Sequence, residues 1–484
     1  MAAEKRSQRA HMAIFPSEGM GHLIPFLEFS KRLALFHNFS ITFITTATES
    51  HVSPAQAAYV QLLTSSSSHH IRFIQLPKAE EEEEQGISHI ERVLKMMDRT
   101  KSLMEDVLKS LLGSSPPISA FITDMFRTHL LHISAKLHIP SYILFASNAA
   151  LVSLMLHLPK LVSEIQVPFK ELEFPVKVPG FPPIPPTDLP TPLQDRLDPH
   201  FDWFLSHSAG LREANGILIN TFEELESQSI KALVEGKVLT ATHMPSIYPI
   251  GPLISSPMLE SDRVRFVEDD RAECLKWMDE QSVCSVVFVA FGSRARLSAA
   301  QIMELALGLE ASGQRFLWAL CGPLTPSSGS IPISQLLPEG FESRTKDRGL
   351  VVTSWAPQIP ILAHPSTGGF LSHCGWNSTL ESISHGIPMI AWPIAAEQRM
   401  NSFILVNDIK VAIEAKRGSE GIVRREEVER VVKSLMDGHE GVKKKTRIRE
   451  LKDSAEKALA EGGSSYKAMA NVAAVWKESA TATV

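Results

Sequence analysis

The stretch Trp355–Gln398, WAPQIPILAHPSTGGFLSHCGWNSTLESISHGIPMIAWPIAAEQ, sets an aromatic ring, a histidine, a glycine turn, a polar helix start and a carboxylate–amide pair close together. Trp355 offers a flat π face that can stack on a planar heterocycle; a buried indole at a strand end is the plainer reading. The apolar run TGGFLSHC breaks at Gly375 and resumes as NSTLESISHG, a strand–turn–helix pattern in which unpaired N–H groups and the positive end of the helix dipole face the turn. Such a turn takes phosphate. His373 at the strand end and Ser378 at the helix start can reach the same anion, although a single histidine there also fits a structural role. Ser378-x-x-Glu381 has the spacing of a capping box. Alternatively Glu381, one helical turn beyond Asn377, presents a carboxylate to two vicinal hydroxyls. Glu397 and Gln398 carry acceptors and donors suited to hydroxyl groups, or merely open a solvated helix. Taken in order, these parts suit a flat base, a diphosphate, a diol and a sugar.

A second constellation lies near the N-terminus, in Ser17-Glu-Gly-Met-Gly-His22. Gly19 and Gly21 permit a tight path between a strand and a helix, and His22 then emerges where an imidazole can take a proton, provided another group fixes its tautomer. Asp124, at the end of the strand-like AFITDM, is a candidate for that group; as an isolated residue it reads equally well as a helix N-cap.

Over its whole length Trp355–Gln398 resembles the signature box of the plant secondary-product glycosyltransferases, family 1 of the UDP-sugar-dependent enzymes. The resemblance implies that Trp355 stacks on uracil, that Gln358 belongs to the donor site, that His373, Asn377 and Ser378 hold the diphosphate, and that Glu381 binds ribose. Trp376, Glu397 and Gln398 would then contact the sugar. A closing Gln is similar to the glucose-using members, whereas Glu397 stands where Asp is commoner and leaves sugar choice open. The family's catalytic histidine follows the first strand in a Gly-His pair, and its partner aspartate ends a strand about a hundred residues later, which points to His22 and Asp124.

The resemblance further implies an inverting displacement with UDP-glucose as co-substrate and no cofactor; the absence of a DxD triplet and the helix-end phosphate cradle indicate no metal. Ser293 fits the family's phosphate-contacting serine after the first strand of the second domain. The segments Phe291-Gly-Ser-Arg294-Ala-Arg-Leu-Ser298 and PSEGMGHL are similar to the plant flavonoid C-glycosyltransferase branch, with Arg294 otherwise a surface or phosphate-side charge. The implied product is a C-glucoside of a phenolic or flavonoid acceptor, with O-glucosylation as the alternative. A sugar-nucleotide sensor, the rival class, would have no use for a base such as His22.

The elements that must position these residues follow from pattern and size. A chain of 484 residues with 44% apolar composition suggests two domains. Short apolar strands alternate with amphipathic helices, MAIFP through SYILFAS and then SVVFVAFG onward, which predicts α/β parallel sheets. The pattern is similar to the GT-B fold, two Rossmann-like domains facing across a cleft. The expected limits are 1–252 for an acceptor domain, 253–270 for a linker, 271–460 for a UDP-sugar domain, and 461–484 for a helix packing back on the first domain. The Pro-rich passage Val178–Leu193 reads as a surface loop.

A net charge of −6 without a basic, aromatic-rich stripe argues against nucleic acid. The run Glu80–Glu84 reads as a solvated loop. Cys274, Cys284, Cys321 and Cys374 lack disulfide or zinc spacing, and neither a leader-like segment nor a membrane-length apolar run is found. A cytoplasmic monomer acting on small molecules is therefore expected.

Overall fold

The β-branched and aromatic runs that alternate with helices in the sequence form two parallel sheets. A computed structural model describes residues 9–46, 70–77, 89–239, 244–254, 268–292, 296–320, 335–353 and 356–482. Trp355, Ser293, Arg294, the Glu80–Glu84 run and residues 255–267 of the expected linker lie outside the described residues.

The first sheet comprises β1 (Ala10–Phe15), β2 (Phe39–Thr46), β3 (Ile71–Leu76), β4 (Ile118–Asp124), β5 (Ser141–Phe145), β6 (Gly216–Ile219) and β7 (Ser246–Pro249), in the order β3-β2-β1-β4-β5-β6-β7. The second comprises β8 (Val286–Ala290), β9 (Arg315–Ala319), β10 (Gly349–Val352), β11 (Thr367–Ser372), β12 (Met389–Ala391) and β13 (Ala412–Glu414), in the order β10-β9-β8-β11-β12-β13. All pairings are parallel. Strands β1, β4, β5, β8 and β11 are buried at every position, as helices on both faces of a parallel sheet require.

Each sheet reverses its strand order once, between β1 and β4 in the first and between β8 and β11 in the second, and such reversals open a crevice beyond the strand C-termini. Phe15 pairs with Thr123 and Ala290 with Ser372. Asp124 and His373 therefore follow immediately after the paired ends, at the two crevices. Helix α1 (Met20–Phe36) packs on one face of the first sheet, against Met12, Ile14 and Ile122, whereas α2 (His89–Leu112), α3 (Ala149–Glu164) and α4 (Pro199–Gly210) cover the opposite face, against Phe15, Phe121 and Phe145. In the second half, α5 (Trp376–His385) follows β11 and α6 (Gln398–Asn407) follows β12.

The two halves share one hydrophobic cluster that runs from Phe145 and Leu151 to Trp376, Leu380 and Met400. The last helix, α7 (Ser464–Ala482), returns to the first sheet. Its Trp476 is fully buried and meets Phe29, Phe39 and Tyr142 edge-on, with ring centroids 6.3, 6.0 and 5.2 Å away, and edge-to-face pairs of this kind add about 0.5–1.5 kcal/mol each beyond the area they bury.

The Pro-rich passage differs from the surface loop expected. Val176 and Ile184 form an antiparallel bridge, Pro186–Asp188 makes a 3₁₀ turn, and Ile184, Leu189 and Leu193 are buried. Proline disfavours sheet and helix interiors but not burial, and the apolar residues between the prolines carry the segment into the core. Among the described residues, no helix is long and apolar enough to cross a membrane.

Candidate active site

His22 is the third residue of α1, so the last three residues of the expected strand–helix connection, Met20 to His22, already belong to the helix. Gly19 caps that helix with φ +97°, a conformation suited to glycine. His22 Nδ1 lies 2.8 Å from Asp124 Oδ2, while Asp124 Oδ1 accepts the Phe126 N–H at 3.0 Å. Both readings of Asp124 therefore hold at once: one oxygen caps the following 3₁₀ turn and the other orients the imidazole. Burial alone would raise the Asp124 carboxyl; the His22 charge and hydrogen bond, the Phe126 N–H and the Ser17 hydroxyl outweigh it and leave the group below its ordinary value. An ionised carboxylate only accepts, so Nδ1 carries the hydrogen and the basic lone pair is on Nε2. Arg127 steadies the loop before α1, donating from Nε to the Pro16 carbonyl at 3.0 Å and lying 4.0 Å over the Phe15 ring.

An aromatic wall adjoins this pair. Phe126 is 5.5 Å from the His22 ring and stacks on Trp203 at 4.7 Å, and Trp203 packs edge-on to His207 at 4.5 Å. Phe126 and Trp203 are half-buried. Nothing in the sequence marks them, because α4 brings Trp203 back beside the β4 end from far along the chain.

On the facing half, the His373 ring is wedged between two glycines. A Cβ on Gly292 would lie 2.8 Å from the imidazole, and one on Gly375 would lie 2.5 Å from Nε2. Desolvation brings His373 down to about 4, so near neutral pH the ring of the ligand-free protein is uncharged and can offer a hydrogen bond but no positive charge. Gly375, not Ser378, is the N-cap of α5, and no side chain caps that helix. The capping-box reading is thereby replaced: Gln358 donates to Ser378 Oγ at 3.0 Å and to Glu381 Oε2, tying the three residues into one polar group beside the helix start. Both Ser378 and Glu381 are 8% exposed.

Three donor-box residues reach toward the first half. Asn377 Nδ2 donates to the Gly21 carbonyl, next to His22, at 3.0 Å. The Glu397 carboxyl is raised by burial, against the opposing pull of its own N–H, of His22 and of Asn401. The Trp376 indole is 3% exposed and donates to the Asn220 carbonyl at 2.7 Å, so its ring is committed to the first half. Gln398 accepts the Ile394 and Ala395 N–H groups at 2.9 Å each. Its oxygen is thus committed to the loop and its NH₂ is left as the donating end. Among the described residues no three His, Cys, Asp or Glu side chains are grouped to hold a metal ion.

Two facing α/β sheets, a carboxylate-oriented imidazole on one and a helix-start anion cradle on the other, define a group-transfer enzyme that works on a nucleotide-linked donor. The family model for UDP-glucoronosyl and UDP-glucosyl transferases matches residues 268–452. The chain is 42% identical to UDP-glycosyltransferase 72B1 of Arabidopsis thaliana over 98% of its own length and 97% of that protein. It is 40% identical to the hydroquinone glucosyltransferase of Rauvolfia serpentina, over 98% and 99%. The solved structure of Phytolacca americana UGT2 with UDP-2-fluoro-glucose and pterostilbene superposes with a TM-score of 0.84 at 39% identity, covering 97% of this chain and all of that one. The protein belongs to the family 1 UDP-glycosyltransferases and has their GT-B fold.

Proposed function

We propose that the enzyme transfers glucose from UDP-glucose to a phenolic acceptor with inversion and without a metal. The observation that carries this reading is the His22–Asp124 pair, set across from the α5 N-terminus and joined to it by the Asn377 bond to Gly21. His22 Nε2 takes the phenol proton, the phenolate attacks the anomeric carbon, and the carbon–oxygen bond to UDP breaks with its electron pair leaving on the diphosphate. Helix N–H groups, the neutral His373 and Ser378 stabilise that departing charge. Phe126 and Trp203 supply a flat apolar wall for the acceptor ring. Glu381 takes the ribose hydroxyls, and Glu397 and the Gln398 amide meet the glucose. Trp355 and Ser293 complete the uracil and phosphate contacts in this scheme.

For the linkage we infer a C-glucoside, on the strength of FGSRARLS and GMGHL. A polyhydroxylated ring concentrates phenolate charge on its ortho carbon, and once the carbon–carbon bond forms the proton on that carbon passes to the ring oxygen, which restores both the phenol and the aromatic ring. The O-glucoside is the second reading, supported by relatives that carry the names hydroquinone glucosyltransferase and anthocyanidin 3-O-glucosyltransferase. Incubation with UDP-glucose and a phloretin-like acceptor separates them: a product that keeps its sugar through acid and β-glucosidase is C-linked, and one that loses it is an O-glucoside and rejects the C-linked reading for that acceptor.

A further inference from the structure

Two non-glycine residues of the donor loops hold left-handed backbone, Cys374 with φ +65° and Ala396 with φ +55°. Cys374 lies between His373 and Gly375 in the phosphate turn; Ala396 immediately precedes the sugar-facing pair Glu397–Gln398. Side chains rarely adopt this region unless surrounding bonds hold it. In both cases the carbonyl is gripped by a chain of hydrogen bonds that begins in the other half of the molecule. The Thr191 N–H donates to the Ala396 carbonyl at 3.0 Å, and Arg399 reaches back to the Thr187 carbonyl at 3.2 Å. Asn401 Nδ2 donates to the Cys374 carbonyl at 2.9 Å, and Asn401 Oδ1 in turn accepts from Asn148 Nδ2 at 2.6 Å. Asn148 and Asn401 are fully buried, so neither amide can turn to water for a substitute partner.

We propose that Thr191 and Asn148, in the acceptor half, are positioning residues for the donor site: Thr191 fixes the sugar loop and Asn148, through Asn401, fixes the phosphate turn. The two clamps act on different parts of one donor. Losing the first loosens the hold on glucose and leaves UDP alone; losing the second loosens UDP itself. The proposal rests on the donor-site reading above.

Thr191→Pro tests the first clamp with little other disturbance. Thr191 opens a short helix after Pro190, whose ψ of 134° accommodates a following proline, and a first-turn site tolerates proline's fixed φ; the change removes the N–H together with the hydroxyl, which donates to the same Ala396 carbonyl at 3.4 Å and whose separate share Thr191→Val reports. Thr191→Val, which keeps the N–H, is the control. One main-chain hydrogen bond corresponds to about a 2- to 12-fold effect. Thr191→Pro is therefore expected to raise the KM for UDP-glucose by that factor and to narrow the preference for UDP-glucose over UDP-galactose, with UDP inhibition unchanged and Thr191→Val like wild type. Asn148→Ser keeps an oxygen to cap α3 but cannot reach Asn401, and is expected to weaken UDP binding by a similar factor. If Thr191→Pro does not fold, Arg399→Met at the surface reports the sugar-loop effect in smaller measure. The proposal is overturned if Thr191→Pro or Arg399→Met leaves sugar KM and preference at wild-type values, if Thr191→Pro weakens UDP inhibition as much as it raises the sugar-nucleotide KM, if Asn148→Ser leaves UDP binding at the wild-type value, or if Thr191→Val matches Thr191→Pro. Failure of the wild-type chain to use UDP-glucose at all would instead sink the donor-site reading.

Discussion

His22 and His373 stand at the strand-order reversals of the two halves but on different strands of each, His22 in the helix that follows β1 and His373 directly after β11, the place that Asp124 holds at the end of β4, and the protein treats the two imidazoles in opposite ways. His22 has the buried Asp124 carboxylate 2.8 Å from Nδ1. Among the described residues no carboxylate holds His373; it is pressed between Gly292 and Gly375, and desolvation lowers it to about 4. A charge partner prepares an imidazole to gain a proton, whereas enclosure without one keeps it neutral. Topology thus supplies two sites at which a histidine meets the cleft, and in the proposed scheme the next neighbour decides whether it serves as base or as neutral donor. The neighbouring glycines matter as much as the carboxylate, since a side chain at either would displace the His373 ring.

The largest effect is expected at His22. Replacing it with Ala removes the base and is expected to lower kcat by about 10² to 10⁴ while UDP affinity, measured by calorimetry, stays near wild type, because the ring acts on the acceptor. Equal loss of UDP binding would erase the contrast with His373. Asp124→Asn comes next: the amide still accepts the Phe126 N–H and keeps the cap, but it no longer demands a hydrogen on Nδ1. A fall in kcat of about 10²-fold or more with an unchanged unfolding midpoint is expected, by analogy with tautomer-fixing carboxylates elsewhere. Full activity would reduce Asp124 to its capping role.

On the donor side, Glu381→Ala is expected to raise the KM for UDP-glucose by about 10- to 100-fold, the range of one or two hydrogen bonds to a charged group, with kcat less affected. Gly375 caps α5, so the loss of stability that follows removal of a capping residue is not expected. A fall in unfolding midpoint with unchanged KM would restore the capping-box reading.

Why some of this was legible in the sequence and some was not has a physical cause. The strand–helix alternation and both sheets could be read from period and length, since burial on both faces forces unbroken apolar strands. The donor residues are close in sequence because a single strand–turn–helix carries most of them. The partnership of His22 with Asp124 spans two strands adjacent only in the sheet, so strand ends alone make Asp124 a candidate on equal terms with a cap, and family resemblance tips the balance. In sequence Asp124 reads as cap or orienter, but a carboxylate has two oxygens and makes both contacts. The Trp376 indole could not be assigned from the box, as its direction depends on Asn220 in the other half. Phe126, Trp203, Asn148 and Thr191 escaped notice for the same reason: each acquires its role from a residue distant in the chain. The Pro-rich passage looked irregular, and local propensity says nothing of Leu189 and Leu193 being pulled inside.

The smallest effect sharpens the comparison through pH. His373 at about 4 lies below the ordinary value of 6.5, so between those limits the unfolded chain binds a proton that the folded chain refuses. Stability from this group is fully present above pH 6.5 and is lost as pH falls toward 4. His207, 2% exposed and also brought to about 4 by desolvation, behaves in the same way. Each contributes at most about 1.4 kcal/mol per pH unit across that window, less for His373, whose half-buried ring is partly screened by water. Urea titrations of the ligand-free protein from pH 7 to pH 4.5 are expected to show stability falling with pH, and His373→Gln, which keeps a donor in the cradle, is expected to flatten the fall by one histidine's share. The KM for UDP-glucose should stay level from pH 8 down to about pH 5, because the donor-side imidazole does not change charge there. An acid slope that Gln leaves untouched would mean that His373 is hydrated and chargeable, and the opposition between the two histidines would then rest on Asp124 alone.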